Sequence, residues 1–182
     1  MRIGIYGGSF NPIHIGHLHV ADSAMHKYFL DSVIFVPAWD PYMKPKEEMA
    51  SAWCRLEMTA IAVQNIENFL VDCIEFTKSG PSYTVDTLEY FKRLYPTDDL
   101  FLIVGQDAYE QIPTWKNPDK IKELAKVAVV DRDINISSTM IREKLRKGEP
   151  CKYLMPNGIY EYILEHNLYK DWDTLERMSK GV

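Results

Sequence analysis

The sequence predicts an α/β protein built on a doubly wound parallel sheet that carries helices on both faces. The order of the segments along the chain supports this fold class. Short apolar segments rich in β-branched residues alternate along the chain with segments whose apolar residues recur every three or four positions. This alternation of strand and helix is typical of a parallel sheet, because each helix returns the chain to the same edge. The last third of the chain is helical, and we expect its helices to pack alongside the sheet.

The individual elements follow from the same patterns. Apolar character predicts strands at residues 2–6, 33–39, 69–76, 99–105 and 126–132. Helical periodicity predicts helices at residues 16–29, 52–66, 84–95, 108–111, 118–125, 139–147 and 156–167, the last with Pro156 in its first turn. Ligands bind open parallel sheets at the carboxyl ends of the strands, where the strand order reverses. We therefore expect the functional residues in the loops that follow the strands.

Composition limits the classes of function. The chain has 182 residues, with no repeat or linker that would divide it, and residues 1–182 are interpreted as a single domain. A formal net charge of -5 argues against a nucleic-acid-binding protein, since such proteins carry a basic face. The 3 cysteines form no CxxC pair, which favours a reducing compartment. No signal peptide or membrane-spanning apolar run is present, so we expect a cytoplasmic protein that does not bind membranes.

The first segment that carries chemistry is the loop GGSFNPIHIGH after the first strand. Gly7 and Gly8 allow the backbone to approach a ligand closely. His14 and His17 bracket Gly16 at the start of a helix, where unpaired N–H groups and a partial positive charge suit a phosphate. Two imidazoles there can also donate hydrogen bonds to charge that develops in a transition state. Helix capping or metal binding would equally explain two histidines at this position.

The second segment is ISSTMIR at residues 136–142. Ser137, Ser138 and Thr139 precede a helix, and Arg142 lies about one turn into it. Hydroxyl side chains in such positions are common helix caps. A cation at this end of a helix is unfavourable for the helix dipole, and an anionic ligand would explain it, although a surface arginine would need no ligand.

Together, GGSFNPxHxGH and ISSTxIR resemble the signature pair of the HxGH nucleotidyltransferase superfamily. Within it, the sequence resembles the bacterial nicotinate mononucleotide adenylyltransferases. The matching stretches are KP (44–45), RLEM (55–58), GPSYTVDTL (80–88), LIVGQD (102–107) with Trp115, and CKYLMP…YI…LY (151–169). The likeness runs to about Lys170 and leaves residues 171–182 outside. It implies a Rossmann-like sheet and transfer of the adenylyl group of ATP to nicotinate mononucleotide in NAD biosynthesis, by direct in-line attack without a covalent enzyme intermediate.

The resemblance also implies roles for the matching residues. The catalytic set would be His14, His17, Lys44 and Arg142, with Lys44 meeting the phosphate of the mononucleotide. Asp107 would bind the adenosine ribose, and the full ATP-binding set would be Gly7, Gly8, Ser9, Phe10, Gly105, Asp107, Ser137, Ser138 and Thr139. A pyridine pocket would be formed by Tyr83, Thr84 and Trp115, since an indole face suits a cationic ring. Mg²⁺ would accompany ATP, held mainly by phosphates and not by a protein metal site.

Two departures and three alternatives accompany this interpretation. Asn11 stands where many members of the family carry Asp, and the connection from Val130 to Ile136 is shorter than is usual in the family. Transfer to phosphopantetheine, cytidylyl transfer to a small alcohol phosphate and nucleotide binding without turnover are the alternatives. The expected partners are the small molecules ATP and nicotinate mononucleotide. The sequence leaves open a homo-oligomer and the strength of preference for nicotinate over nicotinamide mononucleotide.

Overall fold

A computed structural model describes residues 1–41, 48–77, 80–131 and 133–170 of the chain. Its five strands form one sheet in the order β3-β2-β1-β4-β5, and every neighbouring pair is parallel. The strands are β1 (Arg2–Gly8), β2 (Ser32–Pro37), β3 (Phe69–Val71), β4 (Asp99–Val104) and β5 (Lys126–Val129). Because the order runs outward from β1 in both directions, the sheet is doubly wound, and the predicted fold class is confirmed. The strand order reverses between β1 and β4.

Seven α-helices connect and follow the strands within the described ranges. They are α1 (Ile15–Tyr28), α2 (Ala52–Val63), α3 (Thr84–Leu94), α4 (Gln106–Gln111), α5 (Pro118–Leu124), α6 (Ser138–Lys147) and α7 (Ile159–Glu165). Short 3-10 helices occur at Ile74–Thr77, Ile112–Thr114 and Lys152–Leu154. None of the helices in these ranges combines the length and apolarity required to cross a bilayer.

Alternate residues of β1, β2, β4 and β5 supply two separate hydrophobic cores, one on each face of the sheet. Phe101 and Ile103 of β4 pack with α1, α2, α6 and α7 on one face. Leu100, Leu102 and Val104 pack with α3 and α5 on the other. Side chains of a strand point alternately to opposite faces, so strands buried on both faces are apolar throughout. This explains the continuous apolar run of β4. The parallel pairing of β1 with β4 places the carboxyl ends of these two strands side by side.

Several predicted boundaries are wrong, and three of them affect the description of the fold. The predicted strand 69–76 pairs only at Phe69–Val71, because the Asp72 carboxylate then accepts a hydrogen bond from the Ile74 amide and starts a 3-10 helix. The predicted strand 126–132 ends at Val129. Pro156 does not lie in the first turn of α7: the helix begins at Ile159, after Gly158 turns the chain with a φ of 87°. The predicted tail at residues 171–182 lies outside the described residues, so its place in a single domain stays a prediction.

Candidate active site

A cleft of about 720 Å³ opens at the carboxyl ends of β1 and β4, at the point where the strand order reverses. All of the predicted site residues that the structure describes line this one cleft: Gly7, Gly8, Ser9, Phe10, His14, His17, Tyr83, Thr84, Gly105, Asp107, Trp115, Ser137, Ser138, Thr139 and Arg142. The sequence segments that carry them are far apart along the chain, and the sheet topology brings them together. Lys44 lies outside the described residues, and its predicted role stays a prediction.

The two histidines at the start of α1 are tied to each other. His14 is the N-cap of the helix, and its backbone N–H donates to Nδ1 of His17 over 3.2 Å. The two rings stack with their centroids 3.7 Å apart and their planes 27° apart. Because Nδ1 of His17 accepts a hydrogen bond, the neutral ring carries its proton on Nε2. The fold thus selects a His17 tautomer that can act as a hydrogen-bond donor.

Gly16 allows the His14 ring to lie where it does. A Cβ atom added at residue 16 would meet Nδ1 of His14 at 3.0 Å and Cε1 at 3.1 Å. These separations are tighter than an ordinary van der Waals contact, so any side chain at residue 16 would displace the ring. The glycine between the two histidines is therefore a packing requirement of the site.

Phe10 supports the histidines from the interior. Its side chain is only 1% exposed, and its ring lies edge-on to the His17 ring with centroids 5.1 Å apart. The ring also packs against Tyr6 at 5.6 Å. The side chain predicted among the ATP contacts is thus part of the core, and any contact of Phe10 with a ligand would be made through its main chain.

The second motif docks on the first. Ser137 caps α6, because its hydroxyl accepts a hydrogen bond from the Met140 amide over 3.1 Å. Ser138 donates to the carbonyl of Pro12 over 2.9 Å. Thr139 accepts a hydrogen bond from the Arg142 guanidinium over 3.3 Å. The start of α6 is therefore anchored to the loop that precedes α1.

Arg142 is buried and held by two acceptors from the first half of the chain. Nη1 donates to the carbonyl of Asn11 and Nη2 to the carboxylate of Glu48, each over 2.9 Å. The same carboxylate accepts from Arg146 over 3.2 Å. The hydrogen bond from Arg142 and the charge of Arg146 lower the pKa of Glu48 below its ordinary value. A carboxylate thus occupies the anion-binding face of Arg142, and no pattern in the sequence indicated this partner.

The side chain of Asn11 forms hydrogen bonds to two other parts of the chain, the segment at residues 48–50 and Tyr169. Its side-chain oxygen accepts from the Ala50 amide over 3.0 Å and from the Tyr169 hydroxyl over 2.7 Å. Its side-chain nitrogen donates to the carbonyl of Glu48 over 3.0 Å. Burial raises the pKa of Tyr169, which keeps its hydroxyl a donor. An aspartate at residue 11 could not donate to Glu48, so these contacts account for the asparagine.

The far end of the cleft is formed by the start of α3 and the segment after α4. Tyr83 is the N-cap of α3 in an extended conformation, and the Lys116 ammonium lies over its ring, 4.3 Å from the centroid. Lys116 also pairs with Asp86 at 3.3 Å. The indole nitrogen of Trp115 is buried and has no hydrogen-bond partner among the described residues. Lys116 lines the cleft although sequence reasoning did not select it.

A buried carboxylate lies at the same end. Glu75 is 6% exposed and accepts a short hydrogen bond from the hydroxyl of Thr87 in α3. Both residues line the cleft. Sequence reasoning missed Glu75 because it assigned residues 69–76 to a strand.

At the β4 end of the cleft, Gly105 is the N-cap of α4, and Asp107 is exposed in the first turn of that helix.

The match to a family model defines the class of protein to which the chain belongs. The family model described as cytidylyltransferase-like matches residues 5–144, a range that contains both motifs and the whole sheet from Ile5 of β1 onward. A likeness in fold is also clear, since the solved structure of Plasmodium falciparum nicotinic acid mononucleotide adenylyltransferase complexed with NaAD superposes with a TM-score of 0.74. It covers 92% of this chain and 97% of that one at 21% identity, which supports the fold alone.

Sequence relatives are more specific. The "Probable nicotinate-nucleotide adenylyltransferase" of a Thermus thermophilus strain is 41% identical over 188 residues, covering 93% of this chain and 100% of the relative. The nicotinate-nucleotide adenylyltransferase of Bacillus subtilis is 34% identical over 186 residues, covering 93% and 98%. The chain therefore belongs to the nicotinate-nucleotide adenylyltransferase family of cytidylyltransferase-like nucleotidyltransferases.

Proposed function

We propose that the cleft transfers the adenylyl group of ATP to nicotinate mononucleotide, forming nicotinate adenine dinucleotide and pyrophosphate. One observation carries the proposal most strongly. The hydrogen bonds from Ser138 to Pro12 and from Arg142 to Asn11 bring the starts of α1 and α6 onto one cleft. Family membership supports the same activity, since relatives along nearly the whole chain carry this name.

The end of the cleft between the two helices suits a triphosphate. Helix N-termini present unpaired N–H groups and a partial positive charge, which attract phosphate oxygens. His17 adds a side-chain donor at one helix, and Arg142 adds a guanidinium at the other, where it can form two parallel hydrogen bonds to a phosphate. Binding there requires the phosphates to replace the Glu48 carboxylate on Arg142.

The opposite end of the cleft suits the acceptor. The face of Trp115 can stack on a flat cationic pyridine ring. The start of α3, at Tyr83 and Thr84, offers backbone N–H groups to a carboxylate on that ring. Lys116 places a positive charge over Tyr83 beside it. These groups favour a ring that carries both a positive nitrogen and a negative carboxylate.

The chemistry requires no protein nucleophile. A phosphate oxygen of the mononucleotide forms a bond to the α-phosphorus of ATP, and the bond from that phosphorus to the α–β bridging oxygen breaks, with its electron pair leaving on pyrophosphate. The attacking phosphate is already ionised at neutral pH. Catalysis then consists of holding two anions in line and donating hydrogen bonds to the charge that develops on the α-phosphate. Donation from Nε2 of His17 serves the second purpose.

We infer that a divalent cation, Mg²⁺, enters with ATP. Within the described ranges, no three His, Cys, Asp or Glu side chains lie close enough together to hold a metal. In such reactions Mg²⁺ is usually bound by phosphate oxygens and water, so the ion needs few protein ligands. The ion would offset the repulsion between the two substrates.

We also expect the enzyme to work in the cytoplasm, in agreement with the free state of Cys54, Cys73 and Cys151.

Measurement of pyrophosphate release tests the proposal. The protein is incubated with Mg²⁺ and ATP together with nicotinate mononucleotide, nicotinamide mononucleotide or phosphopantetheine, and with CTP and a small alcohol phosphate. We expect the highest kcat/KM with ATP and nicotinate mononucleotide. Faster turnover with phosphopantetheine or with CTP would contradict the proposed acceptor. Release at the background rate with every pair would contradict the enzymatic function itself.

A further inference from the structure

Arg55 is a fully buried cation behind the phosphate-binding loop. It lies in the first turn of α2, is 1% exposed, and is the largest of the fully buried side chains in the described part of the chain. Its guanidinium donates to three backbone carbonyls: from Nη1 to Ser9 over 2.8 Å, from Nη2 to Trp39 over 3.2 Å, and from Nε to Ala50 over 3.2 Å. The three acceptors come from the loop after β1, the loop after β2 and the approach to α2.

The charge of Arg55 has no partner of opposite sign among the residues that the structure describes. All three of its acceptors are neutral carbonyls, and none of the ion pairs in the described ranges includes it. Burial lowers the pKa of the guanidinium, but an arginine remains protonated in proteins. A buried charge without a counterion is strongly unfavourable unless something else compensates it. A cation placed directly behind a loop that binds phosphates would be compensated by the ligand.

The contact with Ser9 also sets the direction of a backbone donor. The peptide unit that joins Ser9 to Phe10 is planar and trans, so its C=O and N–H groups point in opposite directions. Because the carbonyl points toward Arg55, the N–H of Phe10 points away from it. Phe10 lines the cleft and Arg55 does not. The guanidinium therefore fixes the direction of a backbone N–H in a residue that lines the cleft.

We propose that Arg55 is a positioning residue for ATP: it orients the Ser9–Phe10 peptide toward the triphosphate and supplies a buried positive charge that the phosphates neutralise. The inference rests on the proposed function for the identity of the ligand. Arg55 does not touch the ligand. It acts through the loop that contains Ser9. Its hydrogen bonds to Trp39 and Ala50 also hold the two neighbouring loops against this loop.

The test compares Arg55→Lys and Arg55→Met with the wild type by calorimetric binding of α,β-methylene-ATP with Mg²⁺. Lysine retains the charge but cannot form a planar fork to three carbonyls, and methionine removes both. We expect Arg55→Met to weaken binding about tenfold or more, and Arg55→Lys to give an intermediate loss. In turnover assays, KM for ATP should rise by the same factors, while KM for nicotinate mononucleotide changes less than about threefold.

A matched control separates positioning from stability. Phe91→Leu perturbs the core on the opposite face of the sheet, so it should lower the unfolding temperature without changing the affinity for α,β-methylene-ATP. In a third variant, Arg55→Ala, an added alkylguanidinium should partly restore the binding of α,β-methylene-ATP. It should not change the affinity of Phe91→Leu for the same analogue. Wild-type affinity in folded Arg55→Lys and Arg55→Met would overturn the inference. If Arg55→Met does not fold, wild-type affinity in Arg55→Lys alone overturns it.

The two proposals fail in different ways. Binding of the analogue by the wild type without pyrophosphate release would contradict the proposed function and leave the role of Arg55 to be decided by the affinities. Normal turnover by the wild type and by both folded variants would contradict the role of Arg55 alone.

Discussion

The ring of His14 packs so closely over Gly16 that a Cβ atom at residue 16 would stand 3.0 Å from its Nδ1. We expect Gly16→Ala to reduce kcat by about tenfold, because the displaced His14 ring would disturb the stacked His17. Alanine is the better helix former, so the unfolding temperature of the variant should not fall appreciably. Steady-state kinetics and thermal unfolding together check this prediction. Unchanged kcat would show that the histidine pair tolerates movement.

His17→Ala should lower kcat by about 10²–10³-fold, the usual effect of losing one donor to a transition state. The fold should be retained, since His17 is only partly buried at the start of α1. The control is His26→Ala on the same helix, a histidine whose side chain is 80% exposed and which should retain wild-type kcat. Single-turnover measurements separate the chemical step from product release. Near-normal turnover in His17→Ala would contradict the assigned role.

Glu48→Gln should lower KM for ATP by about three- to tenfold, because the triphosphate would no longer compete with a carboxylate for Arg142. Because the pKa of Glu48 is lowered, its carboxylate stays charged at any pH above the ordinary pKa of a glutamate side chain. The effect should therefore be constant from about pH 6 to about pH 8. Glu149→Gln removes an ion pair to Lys144 of α6 and serves as the control. A higher KM for ATP in Glu48→Gln would mean that Glu48 organises Arg142 for binding instead of blocking it.

Thr87→Val should destabilise the protein by about 1–3 kcal/mol, because the buried Glu75 carboxylate would lose a donor. Thr77→Val is the matched control: its hydroxyl also donates a hydrogen bond, but the residue is exposed, and the change should stay within about 0.5 kcal/mol. Urea unfolding provides both free energies. Equal stability of the two variants would show that the Glu75 carboxylate finds another donor.

Much of the fold can be predicted because its signals are local. The apolar run of β4 and the helical periodicity of α3 are sufficient to place these elements within a residue or two. The strand predicted at residues 69–76 is too long because the side chain of Asp72 ends β3 by accepting a hydrogen bond from a backbone amide. The apolar character of a segment does not reveal that a side chain competes for its backbone groups.

The site can be predicted only in part, for a related reason. Motifs identify His14, His17 and Arg142 through residue types that suit phosphate chemistry. The partners of these residues carry no such signal: Glu48 lies in a loop, and its contact with Arg142 spans 94 residues. Arg55 is a charged residue in a helix, which favours a solvated surface position on general grounds. Only the folded chain shows that three backbone carbonyls surround it.

The hydrogen bond from Ser138 to Pro12 has a consequence for the synthesis of the chain. The two residues are 126 positions apart, and the contact from Arg142 to Asn11 spans 131. All five strands precede Ser138 in the chain, so they are synthesised before the second motif. On the ribosome, the proposed phosphate-binding site therefore cannot be completed until residues 138–142 have been synthesised, and we expect a chain cut before residue 138 to lack both contacts and the ability to bind a triphosphate.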